Sequence, residues 1–523
     1  MKNSSLLLSF LLAFSLWSQN PIDVKHYALH LSVDPSQETV LLEELIEIQL
    51  SNDALQIELD LVGLTKDGLG MEVEAVSILN KPIKWRQLPD RLIIEIPKKY
   101  KNEVINVLIF MQGKPQDGLV ISKNKFGAPT IFADNWPNRA RHWYACHDHP
   151  SDKATYTFDV LAPSSYEVVA NGYLKKKIQS QNQNILWQYQ IDEPIPTKVA
   201  VIGVADLRSK NMDTIQGIRV SAFVYPKDSI NGFASFEVAP TILDFYQKII
   251  GPYPFAQLHN VQSTTRYGGM ENAGCIFYDE ASLNNNRKSK LLIAHEIAHQ
   301  WFGNSVTETD WQHLWLSEGF ATYLTNYYIE QSEGQQPFQE QLAQDRLRVI
   351  NFSKRFKALL VDSLTSDLNE RLNPNAYQKG SWVLHMLRIQ LGDSLFWAGI
   401  RNFYNEFQYQ NASSEAFWTS MEKSTGQDLD AFFKQWLYQS GHPKINASLE
   451  TKNGQQYLNI SQTQKQLFSF PLKVAFYDEK NNVVMMRYQI AAHENSFALP
   501  ETLNHKKLRF ELDPFTELLF EQQ

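Results

Sequence analysis

The chain has 523 residues, too many for one ordinary domain, so two to four are expected. Hydrophobic residues make up 43% and aromatics 12%, which suits packed domains and excludes a disordered chain. The formal net charge of −8 is spread without long acidic or basic blocks, so nothing favours a nucleic-acid partner.

Lys2 precedes an apolar run at 6–17, too short and too early for a membrane span, and Gln19-Asn20-Pro21 ends it. This pattern predicts a cleaved signal peptide over 1–19 and an exported protein, periplasmic or secreted. No later segment reaches spanning length, so no stable membrane insertion is expected. Period-two alternation at 27–33, 44–50 and 156–160 predicts an antiparallel β domain over 20–207, without a catalytic constellation of its own. After about Ser235 the period changes. Val238, Ile242, Phe245 and Ile249 fall at helical spacing, and Gly251-Pro252-Tyr253-Pro254 stops that helix. Helical patterns continue at 291–302, 319–332, 377–391, 394–407 and 429–438, giving a mainly helical domain with a short sheet over 208–440. Alternation returns at 472–477 and 483–490, predicting a β-sandwich over 441–523. The fold class expected is therefore multidomain α+β. Cys146 and Cys275 are the only cysteines, and unpaired core thiols are favoured over a bridge between them.

The chemistry concentrates in the helical domain. His295-Glu296-Ile297-Ala298-His299 lies in a stretch compatible with a helix, where residues four apart share a face and both imidazoles reach one ion. In a chain with 13 His the motif arises by accident in roughly one case in fifty, so it is not decisive alone. Glu318, 19 positions beyond His299 at the start of a second helical stretch, supplies a third ligand. Two His and one Glu leave a fourth place open, as a catalytic zinc site requires and a closed structural site does not. One Zn2+ ion is expected on His295, His299 and Glu318.

His295-Glu296-Ile297-Ala298-His299-Gln300-Trp301-Phe302-Gly303-Asn304, Trp315-Leu316-Ser317-Glu318-Gly319-Phe320, Gly268-Gly269-Met270-Glu271-Asn272 and Tyr377-Gln378-Lys379-Gly380 occur in one order. With these motifs the chain resembles the gluzincin aminopeptidases of the M1 family, which include aminopeptidase N and leukotriene A4 hydrolase. The similarity runs from about Asp23 to Pro443, and more loosely to the end. The resemblance implies a thermolysin-like catalytic domain and release of N-terminal amino acids from peptide substrates. It implies Glu296 as general base, Tyr377 as oxyanion donor and Glu271 as the anchor of the substrate's ammonium. Gly268 and Gly269 would admit an extended substrate to the backbone, Met270 would floor the first side-chain pocket, and Asn272 completes the segment.

Several positions depart from the family pattern. A second Gln or Glu that contacts the amine usually stands upstream of the Cys-x-Asp-x-Pro segment, matched here by Cys146-His147-Asp148-His149-Pro150. Trp136 occupies that place, with Asp134 and Asn135 as the candidate substitutes. Ser317 stands where Asn is common. The sequence ends after the predicted β-sandwich, without the large helical domain of longer members, so a cleft open to longer peptides is expected. His142, His147, His149 and His313 lack ligand spacing and are read as packing or hydrogen-bonding residues. The competing readings are a thermolysin-like endopeptidase, which has no ammonium for Glu271 to bind, and an epoxide hydrolase, whose acid aligns with Asn369. A catalytically dead binding protein is the third, although neither a ligand nor the general base is missing.

Overall fold

The computed structural model describes residues 22–51, 55–100, 102–504 and 507–523. The expected signal peptide lies outside them. None of the described helices is long and apolar enough to cross a membrane.

The first region is built on an eight-stranded sheet around β1 (Ile22–Ser32) and β2 (Val40–Leu50). In β2 the buried side chains are Val40, Leu42, Glu44, Ile46, Ile48 and Leu50, the alternation of a strand with one covered face. The exception to apolar burial is Glu44, whose Oε2 accepts from Ala145 N at 3.0 Å. The sheet departs from the antiparallel expectation at one place: β1 runs parallel to the strand Lys153–Pro163. A four-stranded sheet made of residues 119–123, 129–133, 167–170 and 202–205 leads toward the helical region.

That helical region carries its own five-stranded sheet, and the short strand Gly269–Met270 forms its edge, paired antiparallel with Cys275–Asp279. Among the described residues its α-helices are, in chain order, α1 (Ser229–Phe236), α2 (Ala239–Ile249), α3 (Arg287–Ala298), α4 (Trp315–Glu333), α5 (Gln335–Ser353), α6 (Gly380–Leu391), α7 (Asp393–Phe407), α8 (Ser414–Thr425) and α9 (Asp430–Tyr438). Beyond α9 the chain forms a four-stranded and a three-stranded sheet. The architecture is thus mixed α+β, with β regions on either side of a helical one. Cys146 and Cys275 are both buried and unpaired.

Two contacts set the cleft. Gly319 on α4 and Gly380 at the start of α6 meet so closely that a Cβ on either would come within 2.9 Å of the other's Cα. Only hydrogen fits between these backbones, which lets α4 approach the turn leading into α6. Charge joins the first region to the helical one. Lys198 and Glu308 form an ion pair with both side chains essentially inaccessible, and Lys153 donates to the carbonyls of Asn304 (3.1 Å) and Ser305 (2.7 Å). Buried charges are tolerated when paired and hydrogen-bonded, and truncating one partner would leave the other stranded.

Candidate active site

α3 is capped by Asn286, whose side chain accepts from Ser289 N at 2.9 Å and satisfies one otherwise orphaned helix donor. The helix ends at Ala298, so it lies four residues earlier than the pattern at 291–302 suggests. His299 nevertheless keeps a helical backbone, with its N–H donating to His295 O at 3.2 Å. The two imidazoles therefore remain one turn apart on one face. Glu318 sits in the first turn of α4, and Trp315 Nε1, donating to Ser414 Oγ at 2.8 Å, ties that turn to α8.

These elements bring the three expected ligands together. His295 Nε2 and His299 Nε2 lie 3.1 Å apart, and each is 3.3 Å from Glu318 Oε2. Among the described residues this is the one group of three or more His, Cys, Asp or Glu with ligand atoms all within 4.8 Å of one another. Zinc bonds of about 2.0–2.1 Å in a tetrahedral shell put neighbouring ligand atoms about 3.3–3.4 Å apart, close to the observed edges. Electrostatics argue the same way. Burial lowers the proton affinity of His299, yet the Glu318 carboxylate, with Glu271 and Glu296 beyond it, outweighs that and pushes its pKa up to about 9. A cation is wanted at this point, and the residues fit one Zn2+.

The remaining nitrogen of His299 is held as well. Nδ1 lies 3.2 Å from Phe302 O and 3.1 Å from Ser317 Oγ, so it carries the proton and leaves Nε2 free to ligate. Ser317, a departure from the family pattern, thus has a place beside the ligand. Gly303 makes room for it: at φ +124° a side chain is disfavoured, and a Cβ there would overlap Ser317 Oγ.

The cluster opens into a cavity lined by Trp136, Tyr267, Gly269, Met270, Glu271, His295, Glu296, His299, Glu318, Leu372 and Tyr377. Gly269 is required by contact, since a Cβ on it would overlap the Glu296 carboxylate. Burial raises the Glu296 pKa well above the usual carboxylate range; the charge of His299 opposes this, while Glu271 and Glu318 add to it. Tyr377 stacks on His295, with ring centroids 5.9 Å apart. It belongs not to a plain helix start but to a π-helical turn, Asn375–Lys379, running into α6. Burial, then the Glu318 charge, raises its pKa well above the ordinary phenol value and keeps the hydroxyl protonated. Glu271 is 5% exposed, and its Oε1 is buried without a hydrogen-bond partner.

Both family models that match belong to one family: the Peptidase M1 N-terminal domain over residues 23–199 and the Peptidase family M1 domain over 234–436. The chain belongs to the M1 peptidase family. A probable aminopeptidase 1 of Sulfurisphaera tokodaii is 26% identical over 443 residues, matching 78% of this M1 chain and 52% of the relative. A leucyl aminopeptidase of Saccharolobus solfataricus is 24% identical, with coverages of 80% and 55%. The chain therefore spans about half the length of these relatives. An aminopeptidase A of Legionella pneumophila, solved with aspartic acid, superposes with a TM-score of 0.83 at 17% identity over 97% of this chain and 60% of that one. An M1 zinc metallopeptidase from Deinococcus radiodurans gives 0.68 at 24% identity, over 80% of this chain and 94% of that one. Both structures share the fold.

Within this M1 site, two expected substrate residues stand apart from the cavity wall. Gly268 uses its carbonyl to accept from Asp279 N at 3.1 Å, and Asn272 is fully buried with its carbonyl accepting from Cys275 N at 3.0 Å. Both hold the bend of the segment behind the wall. The other expected site residues line the cavity. Two residues that the motif contains, but to which the resemblance assigns no role, do the anchoring. Gln300 Nε2 (2.8 Å) and Asn304 Nδ2 (2.6 Å) both donate to Glu271 O, fixing the strand to the end of α3. Gln300 falls one turn after Glu296, a helical spacing from which it could have been read; Tyr267 and Leu372 carry no comparable signal. His313 contacts Ser414 Oγ at 2.8 Å and His149 stacks on His147, apart from the ligand cluster.

The Ser317 contact generates a prediction. Ser317→Ala should weaken zinc binding about tenfold, read by competition with a chromophoric chelator. An unchanged zinc affinity would mean that the Phe302 carbonyl orients His299 alone.

Proposed function

We propose that this chain is a zinc aminopeptidase that releases N-terminal residues from peptides. The observation that carries the reading is Glu271: a buried carboxylate with an unpartnered oxygen shares one cavity with His295, His299 and Glu318. Such a group suits a substrate ammonium held beside the scissile bond, and it has no purpose in a peptidase that cuts internal bonds.

Zinc, when bound by His295, His299 and Glu318, supplies Lewis acidity and makes water a stronger acid. The chain's own residues do the rest. Gly269–Met270, an edge strand, offers backbone groups to an extended peptide as an added strand would. Glu271 then pairs with the terminal ammonium and sets the register, so that the first peptide bond lies over the cluster. Glu296 takes the proton of the attacking water and passes it to the departing amine, a transfer its raised proton affinity favours. Tyr377, kept protonated, donates to the oxygen on which negative charge develops. Met270, Tyr267 and Leu372 give the first side-chain pocket an apolar wall.

The test compares aminoacyl-nitroanilides with their N-acetylated forms, with and without a zinc chelator. Release should occur only from unblocked substrates and stop on chelation. Glu296→Gln should retain zinc and lose about two to four orders of magnitude in kcat. Equal cleavage of blocked substrates would instead favour the endopeptidase.

We also infer export, supported by the residue pattern at 1–19. Expressed in an exporting host, the mature protein should begin near residue 20; a cytoplasmic product retaining Met1 would contradict this.

A further inference from the structure

An ammonium carries three N–H groups and a full charge, and one buried carboxylate answers only part of that. In the stretch at 134–136, where the resemblance places a second amine contact, the two polar side chains are already committed. Asp134, fully buried, has Oδ1 2.7 Å from the Arg139 guanidinium, while Oδ2 accepts from Arg266 N at 3.0 Å. Asn135, also fully buried, donates through Nδ2 to Thr197 O (3.0 Å) and Ala200 O (2.6 Å). Its Oδ1 accepts from Trp143 Nε1 at 2.9 Å. Neither substitute expected from the sequence lines the cavity, and both are fully buried on partners of their own. Trp136 remains, and it lines the same cavity as Glu271.

The ring is fixed by its neighbours. Trp136 is 2% exposed and makes edge-on contacts with Tyr267 and Trp311, at centroid distances of 5.8 and 5.7 Å. Each neighbour already has a cation: Arg139 lies 5.9 Å from the Tyr267 ring centre and Lys198 5.4 Å from that of Trp311. Among the described residues, Trp136 has none.

We propose that Trp136 is the second half of the amine site, the substrate ammonium lying between the Glu271 carboxylate and the Trp136 indole. The inference rests on the aminopeptidase reading and extends it to a substrate class. A hydrogen-bond acceptor demands an N–H in one direction, whereas an aromatic ring attracts the positive charge whatever its substituents. The site therefore accepts peptides whose N-terminal amine is secondary, such as N-methylated residues, alongside ordinary primary amines.

The experiment measures leucyl- and N-methyl-leucyl-nitroanilide with the wild type and with Trp136→Leu and Trp136→Gln, checking zinc content and melting of each. The wild type should cleave both within about tenfold of each other. Trp136→Leu should raise KM for both about tenfold, the range of a partly desolvated cation–aromatic contact, with the loss in KM rather than kcat. Trp136→Gln should discriminate against the methylated substrate at least about tenfold more than the wild type does, a ratio that a general loosening of the fold would not move. Should either variant fail to fold, fluorinated tryptophans placed at 136 alone keep the shape and weaken the ring's charge. KM then rises with each fluorine. A flat series, an unchanged KM in Trp136→Leu, or an equal ratio in wild type and Trp136→Gln would overturn the proposal while leaving the aminopeptidase reading intact. A wild type that cleaves neither substrate would overturn both.

Discussion

Two imidazole nitrogens 3.1 Å apart, with a carboxylate oxygen 3.3 Å from each, turn three donor atoms toward one point. Lone pairs aimed at one point repel unless positive charge lies among them. Everything around the cluster is arranged to bring those donors together and keep them there, so the need for a cation is the constraint from which the site follows. The three side chains line the cavity rather than a sealed core, so a metal held there would be open to substrate, as a reactive metal is and a structural one is not.

The fold meets that constraint with close backbone approaches and buried charge. Gly319 against Gly380 brings the Glu318 helix and the Tyr377 turn within reach of each other, so ligand and phenol depend on one pair of missing side chains. Gly269 lets the edge strand lie directly on Glu296. Asn304 links the two halves of the site: its side chain holds Glu271 O, and its own carbonyl is held by Lys153 from the first β region. Displacing that region would loosen the Glu271 segment without touching His295, His299 or Glu318, which gives a physical reason for the β region to be fused to the helices.

What the sequence reveals follows the range of the interaction. His295, Glu296 and His299 are legible because one helical turn is a local rule, and the β regions because alternation is too. Glu318 is legible through its residue type and order, although what brings α4 to α3 involves contacts far apart in the chain. Long-range pairing leaves less trace, as in β1 running parallel to the strand Lys153–Pro163. Helix α5 buries only Phe338, Leu342, Asp345, Val349 and Ile350 among many polar residues, too sparse a stripe to stand out. The π-helical turn at Tyr377 comes from a shift in backbone hydrogen bonding that apolar spacing does not record. Asp134 and Asn135 look available in the sequence but are fully buried on partners away from the cavity.

The most direct measurement of the central claim is zinc K-edge X-ray absorption on the purified protein. Two histidine nitrogens and low-Z oxygen neighbours at about 2.0–2.2 Å, with no sulfur shell, are required. A shell containing sulfur at about 2.3 Å, a single histidine, or active protein with no zinc to absorb would contradict the account.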